Sequence, residues 1–518
     1  MLRGVLTVGG WTMASRVLGF ARDMLIAALA GTGPIADAFF VANKLPNMFR
    51  RLFGEGAFNA AFVPEFSGLL HTDGVAAAQA FAQEAISVLA FWLLGLTILG
   101  EVFMPQLMRV LAPGFTEDPA KFTLAVDLAR ITFPYLVLIC LAALLSGVLN
   151  GMNRFAAAAG APLIYNVCSI GAMLVLTPFV PTVGHALAWG VSTAGVAQLA
   201  LLVWAVERAG MPVRIPRPHL TPGMRILLRR MLPGLVGASA MQLNQAVDVI
   251  IGSLLPPGAI SLLYYADRVN QLPLGTIGAA IGTAMLPLLS RQVRSGETQA
   301  AIVTLNRAIE YALFLTLPAA LALIVAGAPI MLVLFERGAF TAESAVLSAQ
   351  SLAAYALGLP AFVLVKVLAP AFFARGDTTT PVRIGLITLV LNFALNLALM
   401  VPLQHIGPAL ATSLAAIFNV AALAIVLLRR GFLVADARLR ARLPRMAIAA
   451  LAMAATLHFA QAPLFAAARG LSGARWLALV VLVSLGLGAY AASAQLAGAI
   501  DLRELTATML RRRRPKQA

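Results

Sequence analysis

Apolar runs about as long as a bilayer is thick recur from one end of this chain to the other, and few folds accept that pattern. About 20 apolar residues rise about 30 Å as a helix, the depth of the hydrocarbon layer. No water is available there to backbone amides and carbonyls, so only helices or closed barrels can cross. The runs lack the period-two alternation of barrel strands, which leaves helices. Composition agrees, with 60% of the 518 residues hydrophobic and 11% charged, where soluble domains carry about 25% charge. The fold class expected is an all-α polytopic membrane protein.

About fourteen transmembrane helices can be placed, roughly 4–30, 34–70, 77–109, 122–151, 155–180, 184–208, 222–255, 258–293, 300–334, 341–375, 379–402, 405–430, 442–466 and 473–497. Arg16, Arg22 and Asp23 interrupt the first run and no small-residue cleavage site follows, so the first helix is expected to be retained. With the N-terminus inside, the arginines gather on one side. Arg208, Arg214, Arg217, Arg225, Arg229 and Arg230 follow the sixth span, Arg429, Arg430, Arg438, Arg440, Arg442 and Arg445 the twelfth, and the tail carries "RRRRPK". Opposite-side connections such as "FVPTVGHAL", "LLPPGAI" and "PLQHIGPAL" hold no Lys or Arg. The positive-inside rule then puts both termini in the cytoplasm and accounts for the net charge of +17 as topology and headgroup attraction. No aromatic platform is interleaved with the basic residues, so nucleic acid is not an expected partner. Cys140 and Cys168 both lie in apolar spans and read as small core residues.

The chain also repeats itself. "AFVPEFS" (61–67) resembles "AMLPLLS" (284–290), and Lys44 after "FFVAN" resembles Arg268 after "LYYAD". Pro64 to Pro287 is 223 residues, Lys44 to Arg268 is 224, and Pro134 to Pro360 is 226. Six helices per half is an even number, so the two repeats are parallel, and transporters built this way bind substrate between halves near mid-membrane. The expected organisation is an N-terminal six-helix lobe (1–210), a C-terminal six-helix lobe (211–431), two extra helices (432–498) and a basic tail (499–518).

Charge at membrane depth is the sparsest signal and the most informative, because each such group needs water, a partner or a ligand. The first half holds Arg16, Arg22, Asp23, Asp37, Lys44, Arg50, Arg51 and Glu55; the second holds Asp248, Asp267, Arg268 and Lys366. On an ideal helix Arg16 and Asp23 project within about 20° of each other, and Arg16 and Arg22 lie about 9 Å apart along the axis. Gly19 between them admits a close neighbour or ligand. Asp37, Lys44 and Arg51 recur every seven residues, and Pro46 is expected to kink their span where it lines a cavity. Interfacial snorkelling or simple ion pairing is the competing account of these groups. The first-half cluster has five cations and three anions, net +2, and planar guanidinium groups suit phosphate or carboxylate. An anionic cargo is expected.

Enzyme chemistry is not. None of the four lysines follows a glycine, as a P-loop requires. No HExxH or nucleophile-elbow sequence occurs, and His71, His185, His219, His405 and His458 are scattered. The expectation is a transporter without cofactor, driven by an ion gradient or the membrane potential.

Four stretches carry a family resemblance: "SRVLGFARD", "DAFFVANKLPNMFRRLFGEGAFNAAFVPEF", "LYYADRVNQLP" and "VLVKVLAPAFFARGDTTTPV". Together with the fourteen-span layout, which covers essentially the whole chain, they resemble the MurJ/MviN lipid II flippases of the multidrug/oligosaccharidyl-lipid/polysaccharide exporter superfamily. The resemblance implies transport of an undecaprenyl-diphosphate-linked disaccharide peptide, the peptidoglycan precursor of the cell wall, across the bacterial inner membrane. It also implies alternating access by a V-shaped pair of six-helix lobes working as a monomer. Arg16, Arg22, Asp37, Arg50 and Arg268 match charged positions of that family's central cavity, with Arg16, Arg22 and Arg268 as diphosphate contacts. Lys44, Arg51, Glu55, Asp267 and Lys366 complete the candidate substrate-binding set. Helices thirteen and fourteen would form an apolar groove for the polyprenyl tail. Gln271 departs from members with an acidic residue after the Asp-Arg pair, which leaves an ion-coupling role at that position open. Asp248 with Asn392 and Asn396 could supply oxygen ligands for sodium, as implied for some relatives, or make ordinary interhelical hydrogen bonds. A drug or cation antiporter of the same superfamily would show a net acidic cavity, against the +2 found. A glycan polymerase would need larger extracytoplasmic loops than "APGFTEDPAKF".

Overall fold

The computed structural model describes residues 2–51, 57–468 and 473–499. Glu55, its neighbours Gly54 and Gly56, and nearly all of the basic tail lie outside the described residues. The regular structure of the described residues is helical, with an isolated bridge between Arg337 and Phe340. Its helices are α1 (Leu2–Ala30), α2 (Pro34–Phe49), α3 (Ala57–Thr72), α4 (Gly74–Val102), α5 (Met104–Leu111), α6 (Pro119–Thr132), α7 (Tyr135–Gly151), α8 (Ala156–Leu176) and α9 (Val183–Arg208). There follow α10 (Pro222–Ser253), α11 (Ala259–Arg294), α12 (Thr298–Val325), α13 (Gly327–Phe335), α14 (Ala342–Phe373), α15 (Thr379–Leu403), α16 (Ile406–Arg429), α17 (Ala437–Ala467) and α18 (Ala474–Leu496).

These helices occupy the fourteen stretches expected, three of which are divided within the described residues: α4 from α5, α6 from α7 and α12 from α13. Proline accounts for two of the divisions. Pro105 sits in the first turn of α5 and Pro134 is the N-cap of α7, and neither can donate to the turn before it. Among the described residues ten helical stretches are long and apolar enough to cross a membrane, Pro119–Gly151 counting as one. Those outside the ten include α1, α10 and α11, which carry the charges singled out above, and the 16-residue α2 and α3.

Contacts divide the chain into two compact units, 1–261 with 337–340, and 262–336 with 341–518. The boundary falls later than the 210/211 division read from the sequence. The extended segment after α9 is fastened to α4, where Gln83 Nε2 donates to Pro212 O at 2.8 Å and Thr221 N to Glu84 Oε1 at 3.2 Å, and α10 packs on α3 and α4. Residues 337–340 join the first unit through Ala339 N, which donates to Ala28 O at 2.8 Å. That approach needs glycine at Gly31, whose φ is +62° and where a Cβ would lie 2.5 Å from Ala339 O.

The repeat is visible within each unit. In the first, α9 packs on α7 and α8, and α4 on α7; in the second, α16 packs on α14 and α15, and α12 on α14. A hydrogen bond repeats as well: Ser192 Oγ on α9 donates to Ile131 O on α6, and Ser413 Oγ on α16 donates to Ala354 O on α14 at 2.6 Å. Close helix contact of this kind relies on small residues, because lipid supplies no hydrophobic drive between helices. A Cβ at Gly358 would meet Ser413 Oγ at 2.6 Å.

Phe58, Phe62, Phe66 and Phe81 stack at the centre of the first unit's core. In the second unit α17 and α18 pack on each other and α17 on α12, with Tyr490 Oη donating to Phe314 O at 2.7 Å. Away from that seam α17 and α18 expose large apolar side chains, among them Ile448, Leu451, Phe459, Leu477 and Leu487.

Candidate functional site

In the first unit Arg22 defines the site. Its guanidinium bonds Asp23 Oδ1 through Nη2 at 2.7 Å and lies 5.2 Å from the ring centre of Tyr165 on α8. Asp23 is buried and Arg22 partly so, a cation paired with a carboxylate and held over an aromatic ring. The partner of Asp23 is thus its immediate neighbour rather than Arg16, which is exposed and has no hydrogen-bond or ion partner among the described residues. Gly19 does admit a close neighbour: its Cβ position is 3.5 Å from the Asn166 amide, which donates to Ser15 O at 3.0 Å. Tyr165 in turn packs beside Tyr135, whose hydroxyl donates to Gln198 Oε1 at 3.3 Å. Tyr165, Asn166 and Gln198 were not among the expected site residues. Nothing in the local pattern of α8 or α9 marks them, because their role comes from packing against α1 and α7.

Asp37 corrects an expectation. It was expected to face a cavity, but it is buried, and its carboxylate accepts from Lys121 Nζ at 2.9 Å, Gly258 N at 2.7 Å, and Ser261 N and Oγ at 2.9 Å. Lys121, itself buried, also lies 4.2 Å from the ring centre of Phe115. Two of the donors are backbone amides at the start of α11, where unpaired N–H groups and the helix dipole favour an anion. Asp37 is therefore a strut joining α2, α6 and the segment 258–261. Lys121 was legible only as a rare residue, one of four lysines in the chain.

The other candidates on α2 lie nearer its end. Lys44 is partly buried, Arg50 donates through Nε to Asn47 Oδ1 at 3.3 Å, and Arg51 is exposed. Pro46 stays inside α2, whose regular turns end three residues later. Asp248 is partly buried on α10.

The second unit has its own set. Arg268 repeats the first unit's arrangement, its guanidinium 4.8 Å from the ring centre of Tyr264 and its Nη2 3.0 Å from the Tyr264 hydroxyl. Asp267 accepts from Gln271 Nε2 at 2.5 Å, so the residue at the departing position serves to hold its acidic neighbour. Lys366 is exposed on α14. Asn392 and Asn396 are buried on α15 and turned on each other, Asn396 Nδ2 donating to Asn392 Oδ1 at 3.1 Å, while Asn396 Oδ1 has no partner among the described residues. An orphaned buried oxygen suits a cation, although both amides are neutral. No group of three His, Cys, Asp or Glu suited to a metal occurs among the described residues.

One charged cluster was expected only as topology. Glu310 on α12 is fully buried and paired with Arg307, Arg438 and Arg442, and Arg307 also pairs with Asp436. It fastens the start of α17 to α12.

Comparison with known proteins follows the same outline. A family model described as "Lipid II flippase MurJ" matches residues 26–469. A protein of Rhizobium meliloti (strain 1021), "Probable lipid II flippase MurJ", is 46% identical over 459 residues, 88% of this chain and 85% of that one. A solved structure titled "Lipid II flippase MurJ, inward closed conformation" superposes with a TM-score of 0.78 at 24% identity, over 95% of this chain and 98% of that one. An inward-facing multidrug resistance MATE family transporter of the MOP superfamily shares the fold at a TM-score of 0.63 and 14% identity, over 82% of this chain and 98% of the other.

Proposed function

The chain belongs to the MurJ family of lipid II flippases, and from that premise we propose that it carries the undecaprenyl-diphosphate-linked peptidoglycan precursor from the inner to the outer leaflet of the inner membrane by alternating access. The observation that carries this reading is Arg22, a cation held at membrane depth by Asp23 and Tyr165. Holding a guanidinium there costs several kcal/mol unless something uses it. A diphosphate does so, taking parallel N–H donors from a planar fork.

Arg22 and Arg16 are the first unit's phosphate contacts in this reading, and Arg268, stacked on Tyr264, is the second unit's. Each tyrosine fixes the plane of its guanidinium before cargo arrives, which lowers the ordering cost of binding. The polyprenyl tail needs no polar seat and stays in lipid beside the apolar faces of α17 and α18. Asp37 acts at one remove, as the strut that sets α2. The protein works as a monomer alongside other cell-wall synthesis proteins, with both termini cytoplasmic. Coupling is to the membrane potential or to sodium, for which the buried Asn392 and Asn396 on α15 are candidate oxygen donors, and no cofactor is required.

The test is leaflet accessibility of lipid II in cells depleted of their own flippase and complemented with this chain. Wild type should restore outward exposure, and Arg22→Ala and Arg268→Ala at matched expression should abolish it. Failure of well-expressed wild type, or normal function of both variants, would overturn the reading.

A further inference from the structure

Lys366 lies across a notch in α11. A Cβ added at Gly278 would fall 2.9 Å from Lys366 Nζ and 3.2 Å from its Cδ, and one at Gly282, a turn further on, 3.8 Å from its Cβ. The lysine stem therefore rests on bare backbone and leads the ammonium over Gly278. A snorkelling lysine would run along its own helix towards an interface; this one is directed sideways onto a neighbour. The ammonium is exposed and has no hydrogen-bond or ion partner among the described residues.

The strip of α11 beneath it is a polar one. Asp267 and Gln271, bonded to each other, are eleven and seven residues before Gly278, and on an ideal helix each projects within about 20° of it. Arg268 and Gly278 lie about 15 Å apart along the axis by helical rise, farther than one diphosphate reaches. An anion gripped at Arg268 leaves Lys366 for a different group.

We propose that Lys366 is a second oxyanion seat for the cargo, taking a carboxylate oxygen of its peptide apart from the diphosphate at Arg268, and that Gly278 is its positioning residue. The inference rests on the flippase reading and adds to it a contact point and the glycine that aims it. An ammonium on a flexible stem is a compact point charge with three donors, suited to an oxyanion whose orientation changes as the cargo moves. The atom nearest Gly278 is the far end of that stem, so Gly278→Ala displaces the charge without disturbing the helix packing.

The purified full chain, which has four lysines, allows a direct test. Acylation of Lys366 by a water-soluble amine reagent is followed by mass spectrometry with no addition, with lipid II, and with undecaprenyl diphosphate. Lipid II should slow acylation about tenfold, the effect of one charge-assisted hydrogen bond. Protection by lipid II but not by undecaprenyl diphosphate assigns the oxyanion to a carboxylate of the peptide; equal protection by undecaprenyl diphosphate would put the diphosphate itself at Lys366 and overturn the proposal of a separate seat. In Gly278→Ala the protection should be lost at an unchanged melting temperature. Transport should fall alike in Gly278→Ala, Lys366→Gln and the double variant, with partial recovery in Lys366→Arg. Lipid II transport by wild type with Lys366 unprotected sinks this inference alone, whereas absence of wild-type transport sinks the flippase reading beneath it.

Discussion

Asp37 and Arg22 sit in the same unit, and their surroundings differ in kind. Four donors enclose the Asp37 carboxylate. Arg22 bonds Asp23 and lies 5.2 Å from the Tyr165 ring centre, with its side chain 12% exposed. Enclosure spends a charge on the protein, and partial enclosure keeps it for a ligand. The second unit shows the same division, Glu310 enclosed by three arginines and Arg268 stacked on a tyrosine. Substitutions at enclosed charges should therefore act on stability, and those at half-open ones on transport.

The largest effect is expected at Asp37. Asp37→Ala strands the buried Lys121 ammonium and should lower unfolding stability by about 3–5 kcal/mol, with part of the loss recovered in Asp37→Ala/Lys121→Ala. Denaturant unfolding in detergent measures both, and a stable Asp37→Ala protein that no longer transports would erase the distinction drawn here. Glu310→Gln should come next, about 3 kcal/mol, because three arginines then face one another. Hydrogen exchange should show the start of α17 opening before the rest of the second unit.

Arg22→Ala is expected to lose lipid II transport about tenfold or more for the missing charge-assisted bonds. Because it takes the arginine partner from the buried Asp23 carboxylate it should also lose stability, which Arg22→Ala/Asp23→Asn should partly recover without recovering transport. Arg22→Lys should fall between, since it keeps the charge without the planar face. A packing change involving no charge gives the scale for comparison: Gly358→Ala pushes a methyl into Ser413 and should cost about 1–3 kcal/mol in unfolding with transport following stability.

The smallest effect belongs to a charge in the open. Asp377, between α14 and α15, has its carboxyl held well below the usual carboxylate range by the Thr380 hydroxyl, then the Thr380 amide and Arg430. A depressed folded-state pKa stabilises above the unfolded value of about 3.9 and ceases to do so as pH falls below it. Wild type should thus lose a little stability on acidification below about pH 4 that Asp377→Asn does not. The same loss in both proteins would place its origin elsewhere.

How much of this was legible in the sequence follows from the range of each interaction. Bilayer thickness acts on contiguous residues, so the apolar stretches, their ends and the two-fold repeat could be read directly. Helix divisions were harder, because the residues around Phe103 and Phe133 are as apolar as the helices they separate. The charges were conspicuous, but their enclosure was not. Lys121 is 84 residues from Asp37, and Ser261 is 224 residues from it. No period or spacing connects such residues, so an enclosed carboxylate and a half-open arginine look alike until the helices are packed. The fastening of 211–221 to α4, which moves the unit boundary from 210 to 261, has the same origin.

The central claim is that Arg22 holds the cargo, and the most direct measurement is lipid II affinity of purified wild type, Asp23→Asn and Arg22→Ala/Asp23→Asn, which leaves no buried carboxylate without its arginine, with melting temperature taken on the same samples. The account predicts affinity weakened about tenfold or more in Arg22→Ala/Asp23→Asn relative to Asp23→Asn at a comparable melting temperature, the value of one or two charge-assisted bonds. Unchanged affinity with a lowered melting temperature would contradict it and make Arg22, like Asp37, part of the frame.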